Sequence, residues 1–230
     1  MKLSAIIGVY IILVSLTSCN RDTPNPSTND IAGYRYFPID TGHWVIYDVD
    51  SISINSINQS IYDTFSYRLK EYIPSTFINN SGNLAERIER YVWDNSLQVW
   101  NIDNVWTSNV HPQDAEKVED NIRYIKLSFP VSLNATWNGN ALNSFYPAWN
   151  YTYTSINQPL TIGSLSFDST ITVLQIDSVN LINNYYGIEK YATGVGMIYK
   201  EFKIINYNIS GSNITYSGFD LKMNIEAYHQ

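Results

Sequence analysis

The stretch 43–54, HWVIYDVDSISI, alternates Val45, Tyr47 and Val49 with Trp44, Ile46 and Ile52. A period of two sends these sets to opposite faces of an extended chain, and β-branched and aromatic side chains suit such a pleated surface. Comparable runs occur at 65–73, 86–94, 97–102, 122–129, 151–156, 165–176, 189–192, 197–207 and 214–228. Asn- and Gly-rich clusters at 79–83 and 210–213 punctuate them as hairpin turns, because both residues accept positive φ. About ten antiparallel strands are expected. No window carries a helical stripe; at 111–121 (HPQDAEKVEDN) Pro112 could open a short turn, and the charges predict a solvent-facing loop decoration. Long twisted strands curl readily, so the expected fold is all-β, one antiparallel sheet forming a barrel or half-barrel, with a two-sheet β-sandwich as the alternative.

The N-terminus follows different rules. Lys2 precedes an uncharged apolar run, 3–16, of 14 residues, short of the roughly 20 that cross a bilayer as a helix. It reads as a secretory signal. Leu16-Thr17-Ser18-Cys19 then resembles the lipobox of bacterial lipoproteins, which implies a signal peptide over 1–18, a diacylglyceryl thioether on Cys19, and anchorage through that lipid. Several acyl chains at about 0.8 kcal/mol per buried methylene hold a protein on a membrane stably. Residues 20–33, NRDTPNPSTNDIAG, have few apolar side chains with which to offset ordering entropy. They are expected to be a flexible tether that holds a single all-β domain, 34–230, on the order of 20 Å from the bilayer.

Compartment and charge narrow the partners. Cys19 is the only cysteine, so an extracytoplasmic domain has no disulfide and must rely on its core. Loss of Lys2 with the signal leaves 13 basic against 21 acidic side chains, a net charge of −8. Such a surface is a poor footing for nucleic acid and gains nothing from anionic lipid. The expected location is the bacterial outer membrane, with a periplasm-facing placement favoured because no acidic run follows Cys19.

Tyr36-Phe37-Pro38-Ile39-x-x-Gly42-x-Trp44-x-x-Tyr47 resembles the opening motif of a group of uncharacterised Gram-negative, Bacteroidota-type envelope lipoproteins. Leu127-Ser128-Phe129-Pro130, Thr136-Trp137-Asn138-Gly139-Asn140 and the run from Tyr191 to Glu201 are similar to that group's middle and closing motifs. The resemblance implies an all-β extracytoplasmic domain and brings no established activity with it. Each motif also has a structural reading: Pro38 and Gly42 bracket a turn, and Gly194 and Gly196 allow a tight bend. Asp50-Ser51-Ile52, Asp168-Ser169-Thr170 and Asp177-Ser178-Val179 are similar to O-glycosylation sites of some Gram-negative envelope proteins.

Candidate chemistry is sparse. His43, His111 and His229 lie far apart and outside metal-ligand spacings, and there is no P-loop, dinucleotide fingerprint or EF-hand. No cofactor, metal or catalytic residue is assigned. Asp48 and Asp50 share a strand face roughly 7 Å apart, a spacing open to a glycosidase pair or a calcium site but ordinary for a solvated face. Glu86 and Glu89 have opposite parity. Aromatics are the notable excess, with 19 Tyr, 6 Trp and 8 Phe. Trp93, Trp100 and Trp106 could join platforms for sugar rings, and Trp137, Tyr146, Trp149 and Tyr151 form the candidate ligand surface. The functional expectation is a non-catalytic binding module for a glycan, an apolar ligand or a protein partner; a carboxylate-dependent glycan hydrolase is the alternative.

Overall fold

The structure is a computed structural model that describes residues 32–54, 62–211 and 213–230. The signal segment, Cys19 and the tether up to residue 31 lie outside the described residues. Twelve strands follow a single 3-10 turn at Tyr34–Tyr36: β1 Trp44–Ile54, β2 Tyr62–Ile78, β3 Leu84–Asp94, β4 Val99–Val110, β5 Asp114–Glu119, β6 Ile122–Ser128, β7 Thr136–Asn138, β8 Asn150–Ile162, β9 Leu165–Val179, β10 Asn183–Ala192, β11 Gly196–Ser210 and β12 Asn213–His229. Each strand pairs antiparallel with its sequence neighbour except across β6 and β7, and β12 returns to pair with β1. One sheet therefore runs in the order β6-β5-β4-β3-β2-β1-β12-β11-β10-β9-β8-β7. Its two edges meet, giving a nearly closed up-and-down barrel, as the long alternating strands predict.

Two of the twelve strands were absent from the sequence expectation. The three residues of β7 are too few to show a period. The segment expected as a loop over 111–121 contains β5, in which Ala115 and Lys117 are both buried on the inner face. Charged side chains normally mark the solvent side, and here they point inward.

The core explains the alternation. Val45, Tyr47 and Val49 of β1 face inward against Leu69, Ile198, Met223 and Ile225, while Asp48 and Asp50 face solvent. A second cluster gathers Leu127, Tyr151, Tyr153, Ile171, Val173 and Tyr191. Burying an aliphatic side chain such as Ile198 contributes roughly 1.5–3 kcal/mol.

One end of the barrel is plugged. Tyr36 is buried there, its hydroxyl 2.8 Å from Asn157 Oδ1 and 2.7 Å from Ser169 Oγ. The Val131 amide donates to the Ala32 carbonyl at 3.0 Å and the Gly194 amide to Arg35 at 2.7 Å. The chain thus enters at the end that carries the β4–β5, β8–β9 and β10–β11 turns. The opposite end carries the β3–β4, β9–β10 and β11–β12 hairpins, whose tips expose Leu97, Leu181 and Ile209; Leu181 is 84% exposed.

The seam between β6 and β7 is closed largely by side chains. The Ile125 amide donates to Gly139 at 2.9 Å, and the Ile125 carbonyl accepts from Trp137 Nε1 at 2.9 Å. Tyr153 Oη accepts from the Ser128 amide at 3.0 Å and donates to the Ser128 carbonyl at 2.8 Å. Asn143 Nδ2 caps the Arg123 carbonyl at 2.8 Å. Gly139 is required here, because a Cβ would lie 2.3 Å from the Tyr151 ring.

Candidate functional site

The inner wall carries ions as well as hydrocarbon. On adjacent strands, Arg90 of β3 and Lys117 of β5 flank the Trp106 ring of β4 at 3.6 Å and 5.0 Å from its centroid. Both cations reach Glu71 of β2, at 3.2 Å and 2.8 Å. Deeper in the barrel, Lys126 of β6 bonds Glu189 of β10 at 2.7 Å and lies 3.2 Å from Glu119 of β5. Lys200 of β11 approaches the same two carboxylates at 3.3 Å and 3.7 Å. Tyr191 donates to Glu189 at 2.5 Å, and Glu189 is 0% exposed. Because β6 and β10 are far apart in the sheet, these bonds cross the interior and tie the two halves of the barrel together.

The electrostatics are self-consistent. Burial alone would raise the Glu189 carboxyl, yet the ammonium groups of Lys126 and Lys200 overcome it and hold the group well below its usual range. Glu119 is lowered in the same way by Lys126, Lys200 and Lys117, and Glu71 by Lys117 and Arg90. Burial would lower Lys126, but Glu119 and Glu189 raise it. These groups are charged and mutually satisfied. Glu86 differs: burial pushes it up, against a 2.8 Å bond from Ser108 Oγ.

A cavity of about 70 Å³ lies near the plugged end, lined in part by His43, Tyr47, Glu71, Lys117, Tyr191 and Met197. It has room for a few waters and falls well short of the roughly 300 Å³ of a small-molecule site. His43 Nε2 faces the Val195 carbonyl at 3.0 Å, and burial lowers its pKa.

The four candidate aromatics come together, but chiefly as packing. Trp137 packs against Tyr151 and Tyr153 at 5.9 Å and 4.7 Å between centroids. Tyr146 lies 5.5 Å from Trp149, which continues to Tyr185 and Phe202. Trp149 is buried, and Tyr151 is only 2% exposed. Tyr146 is half-buried beside Phe145, whose ring is 71% exposed, next to an open surface depression of about 510 Å³ that Phe145 and Asn143 help to line. On the outer face, Trp93 and Trp100 meet edge to face at 5.2 Å with the Arg68 guanidinium over both rings. Arg68 in turn holds Glu226 through two bonds of 2.6 and 2.7 Å.

No family model matches the chain, and no curated protein matches it. Among solved structures it is similar to a candidate lipoprotein from Parabacteroides distasonis ATCC 8503, with a TM-score of 0.35 and 10% sequence identity, over 84% of this chain and 98% of that one. A likeness this distant leaves the architecture to rest on the strand pairing itself.

The remaining sequence candidates are scattered. Asp48 and Asp50 are exposed on the outer face of β1, where Ser66 donates to Asp50 at 2.6 Å. Burial and the neighbouring Glu226 raise Asp48 somewhat. Glu86 faces inward and Glu89 outward, as their parity predicts. His111, Asp114 and Glu116 bring one potential ligand atom each within 4.8 Å, and Glu116 also lies 3.6 Å from Arg123.

The interior ions were missed by sequence reasoning, although a signal existed. Lys117 shares its parity with Ala115, and Glu189 shares its parity with Tyr191. Charges in register with core positions can indicate a polar barrel interior as well as a solvated face.

Proposed function

We propose that this chain is a lipid-anchored lipoprotein of the bacterial envelope whose barrel is a non-catalytic binding module that meets a protein partner with its outer surface. The observation that carries the reading is the interior lining: paired ions and aromatic rings crowd it, and the cavity beside them holds about 70 Å³, which disfavours an enclosed lipid or sugar. The lipobox-like Leu16-Thr17-Ser18-Cys19 supports the anchor, and entry of the chain at the plugged end leaves the exposed hairpin tips at the far one.

A glycan surface is the second reading, favoured by the half-exposed Trp93–Trp100 pair. The hydrolase alternative finds less support. A carboxylate pair needs one group ready to donate a proton in a cleft, whereas Asp48 and Asp50 stand on the outer face and Glu71, Glu119 and Glu189 are held as anions.

Mass spectrometry of the N-terminal peptide tests the anchor: a diacylglyceryl Cys19 is expected, and Cys19→Ala should move the protein to the soluble fraction. Photo-crosslinking in cells tests the binding face. A discrete adduct from position 181 and none from position 164 is expected; absence of any adduct at 181, with retention on immobilised glycan, would transfer the assignment to the Trp93–Trp100 surface.

A further inference from the structure

The wall of the barrel has an opening that its own strands leave unfilled. β5 pairs with β4 only over Thr107 to Val110, whereas β3 follows β4 up to Val99. The other edge of β4 from Val99 to Trp106 therefore has no ladder partner among the described residues, and it presents free amides and carbonyls along about 27 Å at the usual strand rise.

Among the described residues this edge is protected only at Asp103, by a charge and a bulge. Soluble proteins blunt free edges with Lys, Pro, bulges or covering loops. The segment VWNIDNVW has neither Lys nor Pro, and its one bulge, at Asp103, comes only after the regular run Val99 to Ile102. Trp100 and Ile102 share the outer face with Trp93 and Tyr91, their cross-strand partners. Ile102 is 56% exposed.

The geometry points to a second copy of this chain as the occupant, added antiparallel through β4 about a two-fold axis at Asn101. An isologous contact needs a self-complementary pattern, and this stretch supplies one. With Asn101 facing itself, Trp100 lies opposite Ile102 of the partner subunit and Ile102 opposite Trp100 of the partner subunit, two apolar cross-strand pairs on one face. Val99 lies opposite Asp103 of the partner subunit. Moving the axis by one residue to Ile102 would pair Trp100 with Asn104 of the partner subunit across the bulge and break the facial match. So short an interface makes a weak dimer in dilute solution, and confinement of both copies to a membrane raises their effective concentration.

Disulfide trapping of the full-length lipoprotein in its oxidising compartment tests this pairing. Residues facing each other in an antiparallel pair have Cα atoms about 4.5–5.5 Å apart, within disulfide reach. Asn101→Cys is expected to give a dimer of twice the chain mass on a non-reducing gel, while Asp168→Cys, also at an exposed position, does not. Trp100→Cys co-expressed with Ile102→Cys should cross-link as a mixed pair, and either alone should not. Adding Ile102→Lys to Asn101→Cys should cut the dimer yield about tenfold, the effect of roughly 1.4 kcal/mol. No dimer at position 101, equal yields at 101 and 168, or an adduct with a different protein would each overturn the pairing.

Discussion

Two stretches of this barrel in which a strand lacks a full ladder neighbour, the β6–β7 seam and the upper part of β4, are treated differently. At the seam, β6 and β7 approach without a continuous ladder, and Trp137, Asn143 and Tyr153 spend their polar atoms on the exposed backbone groups of Arg123, Ile125 and Ser128. Along the upper part of β4, an equally bare row of backbone groups is flanked by Trp100, Ile102 and Val105, with no side chain bonded to it among the described residues. The first edge is satisfied within the fold. The second is left for something outside, and substitutions at the two edges should therefore separate stability from association.

The largest effect is expected where the seam is tied across the interior. Lys126→Met would leave Glu119 and Glu189 facing one another with only Lys200 between them. Removing one partner of a buried ionic cluster costs about 3–5 kcal/mol, so urea unfolding should show a much lower midpoint. A loss below 1 kcal/mol would mean that the interior ions do not hold the halves together.

Acid should act on the same cluster. Glu71, Glu119 and Glu189 have folded pKa values below the ordinary 4.5, so their contribution is present above that pH and is lost as pH falls below it. Lys126 is raised above 10.5, so its contribution persists to that pH and is lost only in stronger alkali. Glu86, raised by burial, offsets part of the carboxylate term. The urea midpoint should be flat between about pH 7 and 10, decline below about pH 6.5, where burial keeps His43 neutral in the fold, and drop steeply below about 4.5. In Lys126→Met the acid limb should start at higher pH, because burial then acts on Glu189 with less opposition. Unchanged acid limbs in the two proteins would detach the pH dependence from this cluster.

Tyr153→Phe comes next in size. It removes both side-chain bonds to Ser128 and leaves that partly buried amide and carbonyl unpaired while keeping the ring in the core. The cost of about 1–3 kcal/mol for such orphaned groups should appear as faster amide exchange along β6. Protection equal to that of the native chain would show that the seam has another closure.

The difference between the edges also explains what was readable in the sequence. Period two in β1, β9 and β12 follows from local sterics and one buried face, so strand type and the curled sheet could be inferred residue by residue. The inward ions could not, because a charge at a core-parity position has the same sequence signature whether its partner is water or a carboxylate on a distant strand. Lys126 meets Glu189 across a separation of 63 residues, and nothing local encodes that. Trp137, Tyr146, Trp149 and Tyr151 pack into one aromatic layer, and aromatic content alone does not distinguish a packed layer from an exposed one. The free edge of β4 was invisible for a related reason, since it exists only because β5 is shorter than the strand beside it.

The smallest stability effect is expected at that free edge. Ile102 touches solvent over much of its surface and caps nothing in its own barrel, so Ile102→Lys should change the urea midpoint of the monomer by no more than the roughly 0.5 kcal/mol typical of surface substitutions, with an unchanged slope. The ammonium would then stand where an incoming strand must pair, which is how natural sheets block edge addition. Unaltered stability together with lost self-association would establish the two edges as opposites, one built for folding and one for contact. A loss as large as that of Tyr153→Phe would instead make the upper part of β4 an edge that the fold itself needs.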